Sequence, residues 1–328
     1  MSDELDRRSF LKKSVVAGVG ASLAMSLEEK ALLAGSKKAF GTGANIPSKQ
    51  MPMGKIGNVQ ISRLICGGNL ISGFAHSRDL LYVSGLLKHY HTDEKIMETW
   101  KLSEEHGINT MIFYGNDPHA VEVFKKYRNE TGGKIQWLAQ IEPMDMDFKS
   151  TVKSAADNGA VGAFLAGNKT DEWARDGRVD LIEKFISIIK DHGIPAGVAA
   201  HSLNTVTEME LVGVENDFYM KTLHSNNYWS KRRPGQDKSV IDNYEVDNYW
   251  AMTPKETIKF MKDVKKAWIA YKVLAAGAIH PKQGFDYAFT NGADFACVGM
   301  FDFQIAQDTA IAKDVLAKTK SRTRSWYG

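Results

Sequence analysis

Tyr114, Glu142, His201, Lys221, His224 and Lys272 each stand at or near the end of a short apolar run, and their types could do chemistry together. One carboxylate and two imidazoles, Glu142, His201 and His224, make a donor set for a divalent metal. Such a metal would polarise a hydroxyl or carbonyl, as in sugar isomerases and lyases. No local spacing such as His-x-x-x-His ties the three, so they equally suit separate polar groups bonded to nearby loops. Lys221 and Lys272, if brought side by side in a desolvated mouth, would lower each other's pKa, and a neutral amine forms a Schiff base with a carbonyl substrate. Each could instead pair with a carboxylate or hold a substrate anion. Tyr114 and His201 are candidates for acid and base. Asn69, Gln140 and Asn168 add amides that would orient a small polar substrate, and Trp229 adds a ring that would stack on it.

Something must bring these side chains to one place. Eight near-continuous apolar runs, 62–67, 110–114, 135–141, 162–166, 196–200, 218–223, 268–274 and 295–298, read as strands buried on both faces. Amphipathic stretches at 93–106, 148–158, 180–192, 253–267, 281–291 and 304–318 read as helices, and Gly107, Gly159, Gly193 and Gly292 stop four of them. Thr253-Pro254-Lys255-Glu256 opens another with a cap, a first-position proline and an acid in the first turn. Eight βα repeats predict an α/β fold of one domain, a (β/α)₈ TIM barrel. An open doubly wound sheet is the alternative, and no Gly-x-Gly-x-x-Gly follows an early strand to support it. The long connections 71–92 and 225–252 then fall at the C-terminal mouth, where barrel sites are built. Cys66 and Cys297 become neighbours when the barrel closes; buried thiols are expected there rather than a disulfide.

Composition narrows the partners. The chain has 42 Lys and Arg against 39 Asp and Glu, and beyond residue 40 the balance is 35 against 34. A near-neutral surface gives nucleic acid nothing to bind, and no later segment is apolar enough to span a membrane. Two cysteines without a Cys-x-x-Cys exclude zinc ribbons, iron–sulfur clusters and c-type haem attachment on this chain. The expected partner is a small molecule, and nothing in the sequence fixes an oligomeric state.

The N-terminus carries Asp6-Arg7-Arg8-Ser9-Phe10-Leu11-Lys12-Lys13 and then a weakly apolar stretch, 14–27. This resembles a twin-arginine export signal. The resemblance implies passage through the twin-arginine export machinery as a folded protein and work in the periplasm. Cleavage after Ala24 or after Ala34 both fit. Residues 1–38 are accordingly read as signal and linker, and 39–328 as the barrel.

Several later segments resemble an aldo/keto reductase barrel: the opening Met53-Gly54-Lys55-Ile56-Gly57-Asn58, then Gly67-Gly68-Asn69, and Asn109-Thr110-Met111-Ile112-Phe113-Tyr114-Gly115. Residues 193–202 and 269–277 are similar to that family's fifth and seventh strands. The resemblance implies carbonyl reduction with NADPH by an Asp, Tyr, Lys and His set. Only the tyrosine carries over, as Tyr114; the other positions fall on Asn109, Gln140 and, for the histidine, near Gly167 or Asn168. Without the lysine that lowers its pKa, Tyr114 is expected to be a poor acid at neutral pH. NADP, if used after export, would have to be tightly held. A second resemblance, at 274–279 and 291–300, is to phosphate-binding barrels, and implies a phosphate or phosphorylated cofactor at Gly277, Gly299 and Met300. The expected function is an oxidoreductase of aldo/keto reductase type acting on a small polyol, sugar or carbonyl compound. A metal-dependent sugar lyase or isomerase, and a barrel that binds without catalysis, are the alternatives.

Overall fold

The apolar runs pair with one another because neither face of any of them suits water. The computed structural model describes residues 50–75, 80, 82–143, 146–228, 230–231 and 251–328. They include an antiparallel hairpin, β1 (Met53–Ile56) and β2 (Val59–Ser62), followed by β3 (Leu64–Gly67), α1 (Tyr82–Tyr90), α2 (Asp93–Glu105), β4 (Thr110–Tyr114) and α3 (Pro118–Thr131). Next come β5 (Gln136–Ile141), α4 (Phe148–Asp157), β6 (Ala160–Leu165), α5 (Gly167–Arg175), α6 (Val179–Asp191), β7 (Ala196–Ala200) and α7 (Leu203–Val212). The chain finishes with β8 (Phe218–Thr222), α8 (Pro254–Met261), β9 (Ala267–Tyr271), α9 (Pro281–Thr290), β10 (Phe295–Gly299) and α10 (Asp302–Lys318). Strands β3 to β10 are parallel and close into a barrel, with Val298 of β10 opposite Cys66 of β3 at the seam. This is the predicted TIM barrel, held in the compact unit Lys49–Gly328. No helix among the described residues is long and apolar enough to cross a membrane.

The pleat sorts each strand's side chains into two layers. Ile65, Ile112, Leu138, Phe164, Met220, Ile269 and Phe295 fill the barrel interior. Their neighbours, among them Met111, Trp137, Tyr219 and Trp268, pack outward against the helices. The same alternation separates the cysteines: Cys66 lies in the outer layer and Cys297 in the inner one, and both are free thiols.

The N-terminal end of the barrel is closed by structure rather than chemistry. Ile56 and Ile61 of the hairpin join the interior cluster and plug that end. The tail after α10 wraps beneath it. Buried Asp294 receives Arg324 at 3.0 Å and Arg322 at 3.5 Å, and accepts the amides of Trp268 and Tyr327. Asn109 belongs to this end too: its side chain takes the Ser62 amide at 2.8 Å and donates to the Gln60 carbonyl. It precedes β4, while Tyr114 ends that strand, so the two are on the order of 15 Å apart along the chain. Asn109, the residue on which the family's aspartate position falls, is thus part of the hairpin end of the barrel.

Two sequence expectations shift at the mouth. The seventh barrel strand ends at Tyr271, not 274, because Lys272, Ala275 and Ala276 adopt φ of 57°, 46° and 55°. Lys272 thus sits just beyond a strand instead of on it. Helices α1, α3, α5 and α7 lie where the sequence reading had connections.

Candidate functional site

The mouth opens into a cavity of about 400 Å³, within the size range of small-molecule sites. Its wall combines Gln140 of β5 with residues that follow β3, β6, β7, β9 and β10. Asn69, Gln140, Asn168, His201, Lys272, Gly277 and Gly299, all singled out from the sequence, line it. Tyr271, which the sequence reading passed over as part of an apolar run, lines it as well.

The most organised part of the wall is built on β7 and α5. His201 follows β7, and Asp171 lies one turn into α5. The Asp171 carboxylate accepts the His201 amide at 2.8 Å, the His201 Nδ1–H at 2.9 Å, the Thr205 hydroxyl at 2.6 Å and the Ser202 amide at 3.3 Å. Burial alone would raise the Asp171 carboxyl; the bonds from His201, Thr205 and the backbone outweigh it and hold the group below the usual carboxylate range. Burial lowers the His201 imidazole, against the raising influence of Asp171, and Lys272 and Lys221 lower it further. The ring is therefore neutral at pH 7. With Nδ1–H given to Asp171, its basic nitrogen is Nε2. A carboxylate that fixes a histidine tautomer at the edge of a cavity is the arrangement of a general base. Tyr271 stands beside it, ring centroids 5.5 Å apart.

Tyr114 is placed differently from its expected role. It is absent from the described cavity wall; Phe74, which does line the wall, meets its ring edge-on at 5.6 Å. Its hydroxyl is 3.5 Å from Glu142 Oε2. Burial, then the Glu142 charge, pushes the phenol up to about 12. The expectation of a poor acid thus meets a physical cause beyond a missing lysine: a carboxylate stands beside the hydroxyl. Glu142 also receives Asn168 Nδ2 at 3.3 Å and exchanges backbone–side-chain bonds with Asn116.

The trio proposed for a metal does not assemble. His224 gives Nδ1–H to the Ser225 carbonyl at 3.0 Å and takes the Ala251 amide on Nε2 at 2.8 Å, which engages both ring nitrogens. Nδ1 of His201 is engaged by Asp171. Among the described residues no three His, Cys, Asp or Glu side chains converge on a metal-sized space.

Of the two lysines, only Lys272 lines the cavity. Lys221 alternates with the interior residues of β8, so it points into the outer layer with Tyr219 and is buried there. Its Nζ donates to the His201 carbonyl at 2.8 Å, the Thr222 hydroxyl at 2.7 Å and the Thr222 carbonyl at 3.2 Å. Burial brings the amine down to about 7. Its place outside the cavity wall corrects the Schiff-base reading: Lys221 holds the backbone of His201.

Part of the expected phosphate cradle is already bonded within the protein. In the turn after β9, the amides of Ala275, Gly277, Ala278 and Ile279 all bond carbonyls of the same turn. After β10, the Phe301 amide is taken by the Gln304 side chain, and the first turn of α10 carries Asp302, paired with Lys95. An acid there opposes an anion at the helix N-terminus. Met300 is buried and does not line the cavity. Trp229 lies outside the described residues.

No family model matches the chain, and no curated protein does. Solved structures do. One, from Pseudomonas aeruginosa and classed as an aldo-keto reductase, is 16% identical, covers 81% of this chain and 94% of its own, and superposes with a TM-score of 0.55. Another of the same class and organism is 14% identical, covers 84% and 100%, and gives 0.56. At this identity the likeness is one of fold. The chain is an eight-stranded parallel barrel of the kind those two proteins share.

Proposed function

We propose that this barrel is an enzyme that moves a proton on a small carbonyl or hydroxyl compound, with His201 as the proton-transfer group. The observation that carries the reading is the Asp171–His201 bond, which holds an imidazole on the wall of the cavity. Asp171 orients the ring and stabilises the imidazolium that forms. Tyr271 packs beside the ring, and Gln140 and Asn168 on the wall orient the substrate. Tyr114 keeps its proton beside Glu142 and takes no part in the transfer.

A second reading, carbonyl reduction, is favoured by the fold shared with the Pseudomonas structures. The amides of Ala275, Gly277, Ala278 and Ile279 are bonded within their own turn and Asp302 stands in the first turn of α10, so no step is derived through NADP. Export by the twin-arginine route, read from residues 7–27, belongs to the same proposal. It would place the reaction in the periplasm.

The test is exchange of carbon-bound protons in D2O, followed by NMR, with small ketones, aldehydes and polyols. His201→Gln is expected to slow exchange by about 10²-fold or more, and Tyr114→Phe to leave it within a few-fold. Exchange that survives in His201→Gln removes the reading. NADPH oxidation by the same compounds would establish the second one.

A further inference from the structure

Helix α1 is held to the barrel by little. It is nine residues long, has Gly85 near its middle and buries one side chain, Leu87. A helix of that length is marginal in water by itself, and a glycine inside it weakens it further. Yet α1 forms part of the cavity wall, through Val83 and Leu87. Its most organised attachment is at its C-terminal end, where the chain meets the start of α10. The Tyr90 hydroxyl donates to Asp302, and the Tyr90 ring meets Phe301 edge-on at 5.3 Å. The next residue, His91, stacks nearly flat on Phe301 at 5.5 Å. Phe301 itself lines the cavity.

His91 is the anomaly in this attachment. Its ring is buried, and among the described residues neither ring nitrogen has a hydrogen-bond partner. A buried imidazole without partners forgoes hydrogen bonds that water would give it, and a phenyl ring would stack on Phe301 without that cost. What an imidazole adds over a phenyl is the ability to take a proton near neutral pH. The charged groups that act on it are Asp302 of α10, which raises its pKa, and Lys95 of α2, which lowers it. Tyr90 of α1 is its titratable neighbour on the remaining side, ring centroids 5.2 Å apart. Burial is the largest influence, and the net shift is downward from 6.5. Asp302 is already engaged, by Tyr90 and by Lys95 at 3.0 Å. An imidazolium would therefore carry two N–H donors and a charge, with no acceptor at bonding distance among the described residues.

We propose that His91 is a proton-operated latch on α1: when its ring takes a proton it leaves the Phe301 stack, α1 detaches from the start of α10, and the cavity opens on the side of Val83 and Leu87. The proton comes from water and stays on the ring, and only non-covalent contacts break. The closed form holds the proton more weakly than the open one. Opening therefore grows as pH falls below 6.5, and stops growing once the closed form is protonated as well. The latch is independent of which group moves a proton inside the cavity.

The experiment is hydrogen–deuterium exchange of the full chain at pH 7.5 and pH 5.5. It is read by mass spectrometry on peptides from α1 and α6 and corrected for the intrinsic pH dependence of exchange. α6, with seven buried residues, reports opening of the whole barrel. Protection of α1 in the wild type is expected to fall about threefold to tenfold from the higher pH to the lower, beyond any change in α6. His91→Phe keeps a ring on Phe301 and cannot titrate, so its α1 should be equally protected at both pH values. Wild-type α1 protection that stays unchanged overturns the proposal, and needs no variant to show it. So does a fall shared equally by α6, or a fall that persists in His91→Phe.

Discussion

A Cβ on Gly167 would lie 2.9 Å from His201 Cε1 and 2.9 Å from Tyr271 Oη, so the site needs a residue without a side chain there. Gly167→Ala is expected to push the imidazole or the phenol off its position. Proton exchange should drop by roughly tenfold or more, with a stability cost of about 1–3 kcal/mol typical of an overpacked position. Calorimetric melting beside the exchange assay separates the two effects. Asp171→Asn offers one acceptor oxygen where the carboxylate offers two, and sets its amide group among donors. It should cost at least about 10²-fold in exchange through the wrong His201 tautomer, and a normal rate would show that His201 needs no orienting carboxylate. His201, Gln140, Asn168 and Lys272 were readable from the sequence because a polar residue ending an apolar run stands out. Asp171 was not, because its helix starts at Gly167 with no side-chain cap to announce it. Tyr271 was hidden by being as apolar as the strand it ends. Tyr114 was readable as a residue, but nothing in its spacing told that Phe74 would lie against it.

At the scale of elements, period and punctuation carried most of the reading. β4 and β7 lie where the apolar runs predict them, and α9 ends one residue before its predicted stop, at Thr290. The turn after β9 failed for a physical reason: Val273, Leu274, Ala275 and Ala276 look like strand, and only the left-handed backbone ends it. Lys221 failed because a one-residue change of parity moves a side chain from the cavity to the helix layer. The tail is another element without a local signal, since its arginines find their partner across the fold. Asp294 is fully buried, so neutralising it strands Arg322 and Arg324 in a site built for a carboxylate. Asp294→Asn is expected to lower stability by about 3–5 kcal/mol, read as a lower urea midpoint at unchanged slope. A shift below 1 kcal/mol would mean that the tail is not fastened through this residue.

For the whole molecule the acid response follows from three imidazoles buried in separate places. His91 is 4% exposed and stacks on Phe301 at 5.5 Å; His201 faces Asp171; His224 accepts the Ala251 amide. Burial lowers all three from 6.5. A lowered histidine means that the unfolded chain takes the proton first. The stability these groups contribute is present above 6.5 and is lost as pH falls below it. Protonating His224 would also set an N–H against the Ala251 N–H. Lys221 adds in the same direction but in another window: its amine is down at about 7, so stability rises between there and the unfolded value of 10.5. Asp308 opposes them, its carboxyl raised to about 6 by burial, but only at pH values where the fold holds that proton. The clean window is therefore pH 6 to 7.5. The melting temperature should fall on the order of a few degrees from the upper to the lower end of it. His224→Gln should flatten that slope by removing one titrating ring. A melting temperature that holds constant across this window would mean that the buried rings take up protons as readily as the unfolded chain, and the neutral-base assignment of His201 would fall with them.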